Sequence, residues 1–358
     1  VLLYIFFIFL FNKFKNINMK ILITGVNGFL GEEIAEFFLS KKNFTIFGTD
    51  ISSKENNKFS FINFDLTKNF KILTNEIQKI KPDVIIHCAA KIFEETNKKK
   101  VWELNYYSTK KLYDLSKKCN VKKFIFISTF SIFEKNYNFL VKESEKPSCI
   151  NEYGKSKVAS ENYIIKNVKN TQYYILRCPI ILSKNRGYRI SILSDLIRDN
   201  FNVPIIGDGQ NKISFVHSKD ISQAIFLILK KNIKSDIFNI CSDDKLSFYK
   251  LISNVIKKSR SKSKIIRINR FFGNLVFDIA IKLKLLPCTS YHKKIFNFSI
   301  ILDNSKLKKK TGWKPKYSST QMFYENLKSI KRSHENSFSK GKAKEGIIYV
   351  IKYIFLIF

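Results

Sequence analysis

Between Met19 and Phe130, short apolar, β-branched runs alternate with segments whose apolar residues recur at helical spacing. The runs predict strands at Lys20–Thr24, Thr45–Thr49, Phe59–Asn63, Val84–His87 and Phe124–Ser128. The intervening segments predict helices at Gly31–Lys41, Phe70–Ile80 and Tyr106–Cys119. That alternation is the rhythm of an α/β protein with a doubly wound parallel sheet. A further helix is expected at Tyr153–Lys166 and a strand at Tyr173–Arg177, which stops before Pro179. Beyond Pro179 the rhythm loosens into loop signals at Asn185–Gly187, Gly207–Gly209 and Lys257–Lys264. A helix at Ile221–Leu229 and a strand at Ile237–Cys241 interrupt them. Phe271–Leu286 is an apolar amphipathic segment ended by Pro287. With only Lys282 and Lys284 on its C-terminal half, it is expected to be a buried helix rather than one lying on a membrane.

The sharpest local pattern is Met19–Gly31, MKILITGVNGFLG, a strand running into a glycine turn and a helix start. Gly25, Gly28 and Gly31 recur every third residue, which lets backbone N–H groups at a helix N-terminus approach a pyrophosphate. The spacing is GxxGxxG rather than the dinucleotide fingerprint GxGxxG. Asp50 strengthens the pattern, because it closes the second strand 19 residues after Gly31. An acidic residue there takes adenosine ribose hydroxyls and repels the extra phosphate of NADP, although a strand-end turn residue has the same appearance. Asp65 has two readings, an acceptor for the adenine amino group or a residue capping the following helix.

A second pattern is Tyr153-Gly-Lys-Ser-Lys157. A helix brings residues four apart onto one face, where a lysine ammonium lowers the pKa of a phenol and fits it for base catalysis. Tyr106 and Lys110 share that spacing, so position is what favours Tyr153: it follows the fifth strand, which ends in the hydroxyl pair Ser128 and Thr129.

Composition adds less. The 358 residues carry a net charge of +35, enough to raise nucleic-acid or anionic-membrane binding as a function. Lysine, asparagine, isoleucine and phenylalanine are over-used together, and the lysines are scattered, which is compositional drift rather than a binding footprint. No nucleic-acid partner and no membrane contact are expected. Six cysteines (Cys88, Cys119, Cys149, Cys178, Cys241 and Cys288) are spaced too widely for CxxC or zinc motifs. Free thiols in a reducing cytoplasm are expected, and no metal site. Apolar Val1–Phe11 is shorter than the roughly 20 residues a bilayer span needs, and 1–18 is expected to lie outside the fold. Ile347–Phe358, after polar Arg332–Gly346, is expected to be an artefact or a tail, with a membrane anchor as the lesser alternative.

The chain resembles the extended short-chain dehydrogenases/reductases of the NAD-dependent epimerase/dehydratase family. The resemblance rests on TGVNGFLG at 24–31, Asp50, Asp65-Leu66, HCAA at 87–90, Asn105, ISTFSIF at 127–133 and YGKSK at 153–157. It continues through LRCP at 176–179, GDGQNKISFVHSKD at 207–220, FNIC at 238–241 and TGWKP at 311–315. It implies a Rossmann domain over 19–178, to which 213–245 returns, with 179–212 and 246–331 forming a smaller substrate-binding subdomain and 332–358 a tail. It also implies a bound NAD, held by Gly25, Asn27, Gly28, Phe29, Leu30, Gly31, Asp50, Asp65, Leu66, Ala89, Ala90 and Asn105 together with Tyr153 and Lys157. Thr129, Tyr153 and Lys157 match the family's catalytic residues. Ser128, Arg186, Lys212 and His217 are candidates for substrate contact, and a homodimer through the Tyr106–Cys119 and Tyr153–Lys166 helices is implied.

Departures narrow the reading. Phe130 and Ser131 follow Thr129 where sugar dehydratases carry an Asp-Glu pair, so the acid for eliminating water is missing. Ile213, beside Lys212, stands where epimerases of UDP-sugars carry an arginine for the pyrophosphate. Phe133 and Glu134 replace the tyrosine and glycine of the family's VYG turn. The leading expectation is an NAD-dependent epimerase of a nucleotide sugar. A net reductase or dehydrogenase of a keto-sugar or sterol-like alcohol is the runner-up, and a non-catalytic NAD- or nucleic-acid-binding protein the third reading.

Overall fold

The computed structural model describes residues 18–53, 58–92, 97–184, 190–231, 233–282 and 297–329. Arg186, Cys288 and the end of the predicted Phe271–Leu286 helix lie outside the described residues. In chain order the strands are β1 (Met19–Thr24), β2 (Phe44–Asp50), β3 (Ser60–Asn63), β4 (Val84–His87), β5 (Lys123–Thr129), β6 (Leu140–Val141) and β7 (Gln172–Cys178). They continue with β8 (Ile180–Leu182), β9 (Val203–Ile206), β10 (Phe215–His217), β11 (Asp236–Asn239), β12 (Ile265–Ile268) and β13 (Ile301–Leu302).

Seven strands form one sheet in the order β11-β7-β5-β4-β1-β2-β3. Every pairing in it is parallel. The pleat explains why these strands read as continuous apolar runs. Ile21, Ile23, Ile125 and Ile127 face a core shared with the Phe29–Leu39 and Ser218–Lys230 helices. Leu22, Phe124 and Phe126 face the opposite core with the Lys71–Ile80 and Ser108–Lys118 helices. Both faces are covered, as a parallel sheet requires. The order reverses between β1 and β4, and that switch point is where such sheets open a ligand crevice.

The third helix departs from expectation at its start. It begins at Lys98, where the Asn97 side chain accepts the Lys100 N–H (3.2 Å), and passes through a π-helical turn, Glu103–Tyr107, before continuing to Lys118. A π turn inserts a residue into the helical repeat, so hydrophobic periodicity does not register across it.

A second region, with a core of its own distinct from the two on the sheet's faces, gathers around three short parallel pairs, β6 with β13, β8 with β10 and β9 with β12. These cores do not divide cleanly along the chain. Phe130, Ile132 and Phe133 pack in the second core directly after β5, whereas Leu307 and Trp313 return to the main one. Trp313 donates from its indole to the Asp220 carbonyl (3.0 Å), and the Asp220 carboxylate accepts the N–H groups of Lys316 (3.0 Å) and Tyr317 (3.3 Å). The FVHSKD and TGWKP motifs are thus two sides of one junction. Burial pushes the Asp220 carboxyl up to about 6 despite those two bonds.

One expectation is overturned. The Arg270–Lys282 helix is not buried: Phe271 is 72% exposed and Phe272 58%. Leu275 and Ile279 are exposed as well. The helix docks on the other side, through Gly273 against Ile206 and Ile268. Its sequence is apolar nearly all round, so its composition could not reveal that one face stays outside.

Candidate active site

The glycine turn is built as its spacing demands. Gly25 has a φ of +68°, and a Cβ on it would lie 2.7 Å from the Ala89 nitrogen. A Cβ on Gly31 would lie 2.1 Å from the Gly25 carbonyl oxygen. The first glycine therefore brings the turn against the segment after β4, and the third lets the helix pack on the turn. Gly28 caps the Phe29–Leu39 helix with no side-chain hydrogen bond, so its first turn presents backbone N–H groups. Phe29 and Leu30 open that helix, with Leu30 buried in the main core.

Asp50 ends β2 beside this turn and accepts the Asn27 N–H (3.0 Å); the Asn27 amide donates to the Ser52 carbonyl. Asp65 follows β3 and caps its own turn by accepting the Thr67 N–H (2.9 Å). Leu66 is buried, and its carbonyl accepts the Ser108 hydroxyl (2.7 Å). Ala89 and Ala90 follow β4, half-buried. These residues lie at the C-terminal ends of adjacent parallel strands, around the switch point. A backbone cradle that a Cβ would fill and a carboxylate at the end of the second strand suit a dinucleotide, with its pyrophosphate at the turn and its ribose at Asp50.

Asn105 sits on the π-helical turn and is buried. Its amide exchanges two bonds with the Lys91 backbone (2.8 and 2.7 Å) and donates to the Ser156 hydroxyl (3.1 Å). It ties the segment after β4 to the Glu152–Lys166 helix.

That helix carries the second half of the site. Asn151 caps it, accepting the Gly154 N–H (2.7 Å). A Cβ on Gly154 would lie 2.6 Å from the Ser131 carbonyl oxygen, so the glycine brings the start of the helix, with Tyr153, against the Thr129–Ile132 turn. Thr129 is the last residue of β5 and its hydroxyl accepts the Ser131 N–H (3.1 Å). Lys157, one helical turn beyond Tyr153, is 2% exposed. Its ammonium donates to the Ile127 carbonyl (2.8 Å) and lies 4.4 Å from the centre of the Phe126 ring. Burial lowers its pKa to about 8, against the opposing pull of Cys88, Glu161 and Cys178.

Several residues of this site were not singled out by sequence. Glu161, four residues after Lys157, accepts the Ser128 hydroxyl and pairs with Arg177 of β7 at 2.8 Å. Both side chains are nearly inaccessible, and the Arg177 guanidinium also donates to the Glu143 carbonyl (2.9 Å). The spacing of Glu161 from Lys157 and the arginine of LRCP were the available signals. Glu134, at the altered turn glycine, accepts the Asn151 N–H (3.0 Å) and steadies the helix start. His87 is fully buried, 2.6 Å from the Thr24 hydroxyl and 2.9 Å from that of Thr109. Burial, with Lys157 nearby, lowers its pKa to about 3, so its imidazole is neutral.

The substrate-side candidates are scattered. Ser128 faces Glu161 in the interior. Lys212 is exposed, and its backbone pairs with the Ser299 and Ile300 segment. Ile213 is packed in the second core. His217 caps the Ser218–Lys230 helix by accepting the Lys219 N–H (3.1 Å), stacks on Tyr317 and lies 3.3 Å from the Glu325 carboxylate. Among the described residues the five cysteines are free, no group of side chains could hold a metal ion, and no helix is long and apolar enough to cross a membrane.

A glycine-turn dinucleotide cradle on a doubly wound sheet, facing a helix with tyrosine and lysine one turn apart, defines an enzyme of the extended short-chain dehydrogenase/reductase class. The model of the NAD dependent epimerase/dehydratase family matches residues 21–241, and the chain belongs to that family, whose cofactor is NAD. It is 28% identical to an uncharacterised protein, y4nG, of Sinorhizobium fredii, over 85% of this chain and 76% of that one. It is also 28% identical to the decarboxylating sterol-4-alpha-carboxylate 3-dehydrogenase of Dictyostelium discoideum, over 81% and 94%. Among solved structures, the UDP-glucose 4-epimerase of Thermotoga maritima superposes with a TM-score of 0.71 at 22% identity, covering 87% of this chain and 98% of that one.

Proposed function

We propose that the protein is an NAD-dependent epimerase of a nucleotide sugar, with Thr129, Tyr153 and Lys157 as its catalytic residues. The observation that carries this reading is the buried Lys157 ammonium, fixed on the Ile127 carbonyl one turn from Tyr153 at the end of β5. NAD, when bound, supplies the acceptor and donor of hydride. Tyr153 takes the proton of a ring hydroxyl, and the Lys157 ammonium, charged below about pH 8, stabilises the phenolate. The Thr129 hydroxyl holds the reacting oxygen. Once the sugar has turned its other face, Tyr153 returns the proton to the same oxygen, so no net oxidation occurs. The pair after Thr129 supports epimerisation over dehydration, because Phe130 and Ser131 are buried and neither supplies an acid. Tyr153→Phe tests the mechanism: turnover is lost while NAD binding persists, and a fully active variant contradicts it.

A second reading, a net dehydrogenase or reductase, is favoured by Ile213. Its side chain lies in the second core, so this position offers no cation to a substrate pyrophosphate. The Dictyostelium relative is a dehydrogenase. Stoichiometric consumption of added NADH with a keto substrate would establish that reading; inversion without cofactor turnover would exclude it.

A further inference from the structure

The Arg270–Lys282 helix presents an apolar ridge that the enzyme reaction does not use. Phe271, Leu275 and Ile279 follow one another at intervals of four and therefore stack on one side, with Phe272 beside them. All four are exposed, Phe271 by 72% and Ile279 by 49%. The helix cannot turn them inward without losing its own seat, because Gly273 on the far side packs so closely that a Cβ on it would lie 3.0 Å from Ile206 and 3.3 Å from Ile268. Scattered apolar residues on a surface need no explanation, but two phenylalanines, a leucine and an isoleucine aligned on one ridge do.

Charge identifies the partner. Exposed Lys262, Lys264, Arg267 and Arg270 lie on the chain leading into the helix, and Lys282 ends it. Among the described residues, exposed Asp208, 3.8 Å from Arg270, and exposed Asp278, seven residues after Phe271 at the edge of the ridge, are acidic groups beside them. Basic residues on the chain either side of an aromatic ridge, in a protein of net charge +35, repel a second copy of it and attract an anionic surface. We infer that this helix docks the enzyme on anionic lipid membranes, with Phe271, Phe272, Leu275 and Ile279 entering the headgroup boundary and the basic residues meeting lipid phosphates and carboxylates.

Flotation of the full-length protein with vesicles of phosphatidylcholine containing phosphatidylserine tests this. The bound fraction should exceed that on pure phosphatidylcholine, and should fall as salt is raised from about 0.1 to about 0.5 M. The Phe271→Glu, Phe272→Glu, Leu275→Glu variant should bind at least about tenfold less. Its thermal midpoint and NAD affinity should match the parent, since none of the three residues packs in any of the three cores. If all three substitutions lower the thermal midpoint, Phe271→Ser with Phe272→Ser provides the milder test of the same loss. Three results overturn the inference: no binding by the parent, undiminished binding by a folded variant, or a dimer of the parent that the variant dissolves.

Discussion

The seven-stranded sheet and the region around β6, β8–β10, β12 and β13 are built by different means. In the sheet, strands of four to seven residues pair along their length, and alternate side chains feed two cores. In the second region, pairs of two to four residues join segments far apart in the chain, as Leu140–Val141 joins Ile301–Leu302. The sheet fixes its site mainly with backbone, at Gly25, Ala89 and the Ile127 carbonyl. The second region offers side chains: His217 caps a helix and stacks on Tyr317, while Lys212 is exposed. The glycine-turn cradle thus depends on backbone geometry that a Cβ at Gly25 or Gly31 would block, whereas the candidates of the second region are polar side chains whose surroundings decide their use.

The comparison can be broken at several points. The largest effect should come at the sheet's own chemistry. Tyr153→Phe should lower turnover by about 10²- to 10⁴-fold, with NAD affinity measured by calorimetry unchanged. Arg177→Ala leaves buried Glu161 unpaired at the seam between the regions and should cost about 3–5 kcal/mol in urea unfolding. Replacing the pair together, Arg177→Met with Glu161→Leu, should recover much of that loss. A single unfolding transition in these variants would mean that the two regions fold as one unit.

Asp220 probes the other seam by pH. Its folded pKa, about 6, lies above the ordinary 3.8, so the folded state holds the proton more tightly. Its stabilising contribution is fully present below about pH 4 and is lost as pH rises through about 6. The stability of the parent relative to Asp220→Asn should therefore increase by up to about 3 kcal/mol between pH 7 and pH 4. A difference that stays constant with pH would show that the carboxyl titrates normally. The smallest of these effects is expected from Gly31→Ala, whose Cβ would collide with the Gly25 carbonyl. It should cost about 1–3 kcal/mol and weaken NAD binding before it affects the second region.

The contrast also explains what could be read beforehand. The sheet strands, the glycine turn, Asp50 and the Tyr153–Lys157 spacing were legible because each is a local pattern with a period or a fixed interval. The π turn at Glu103–Tyr107 was not, since it breaks the period that signals a helix. Glu161 and Arg177 meet only because the Glu152–Lys166 helix packs on β7, and no local pattern announces such a contact. Lys212 and His217 stood out alike as polar residues near a motif, and the structure leaves the first exposed and buries the second. Whether a polar residue faces a ligand or caps a helix depends on the partner it meets in space, as His217 does with Tyr317 and Glu325. The Arg270–Lys282 helix shows the same limit for apolar residues, because its pattern could not say which face the protein would cover.

The most direct test of the proposed epimerisation is the fate of one hydrogen. The purified protein, loaded with NAD, is incubated with nucleoside-diphosphate sugars deuterated at the ring carbon to be inverted, and the products are followed by NMR. Inversion with the deuterium retained at that carbon, lost in Tyr153→Phe, is the predicted result. Transfer of the label to added oxidised NAD, released as deuterated NADH in step with an accumulating keto product, would contradict it.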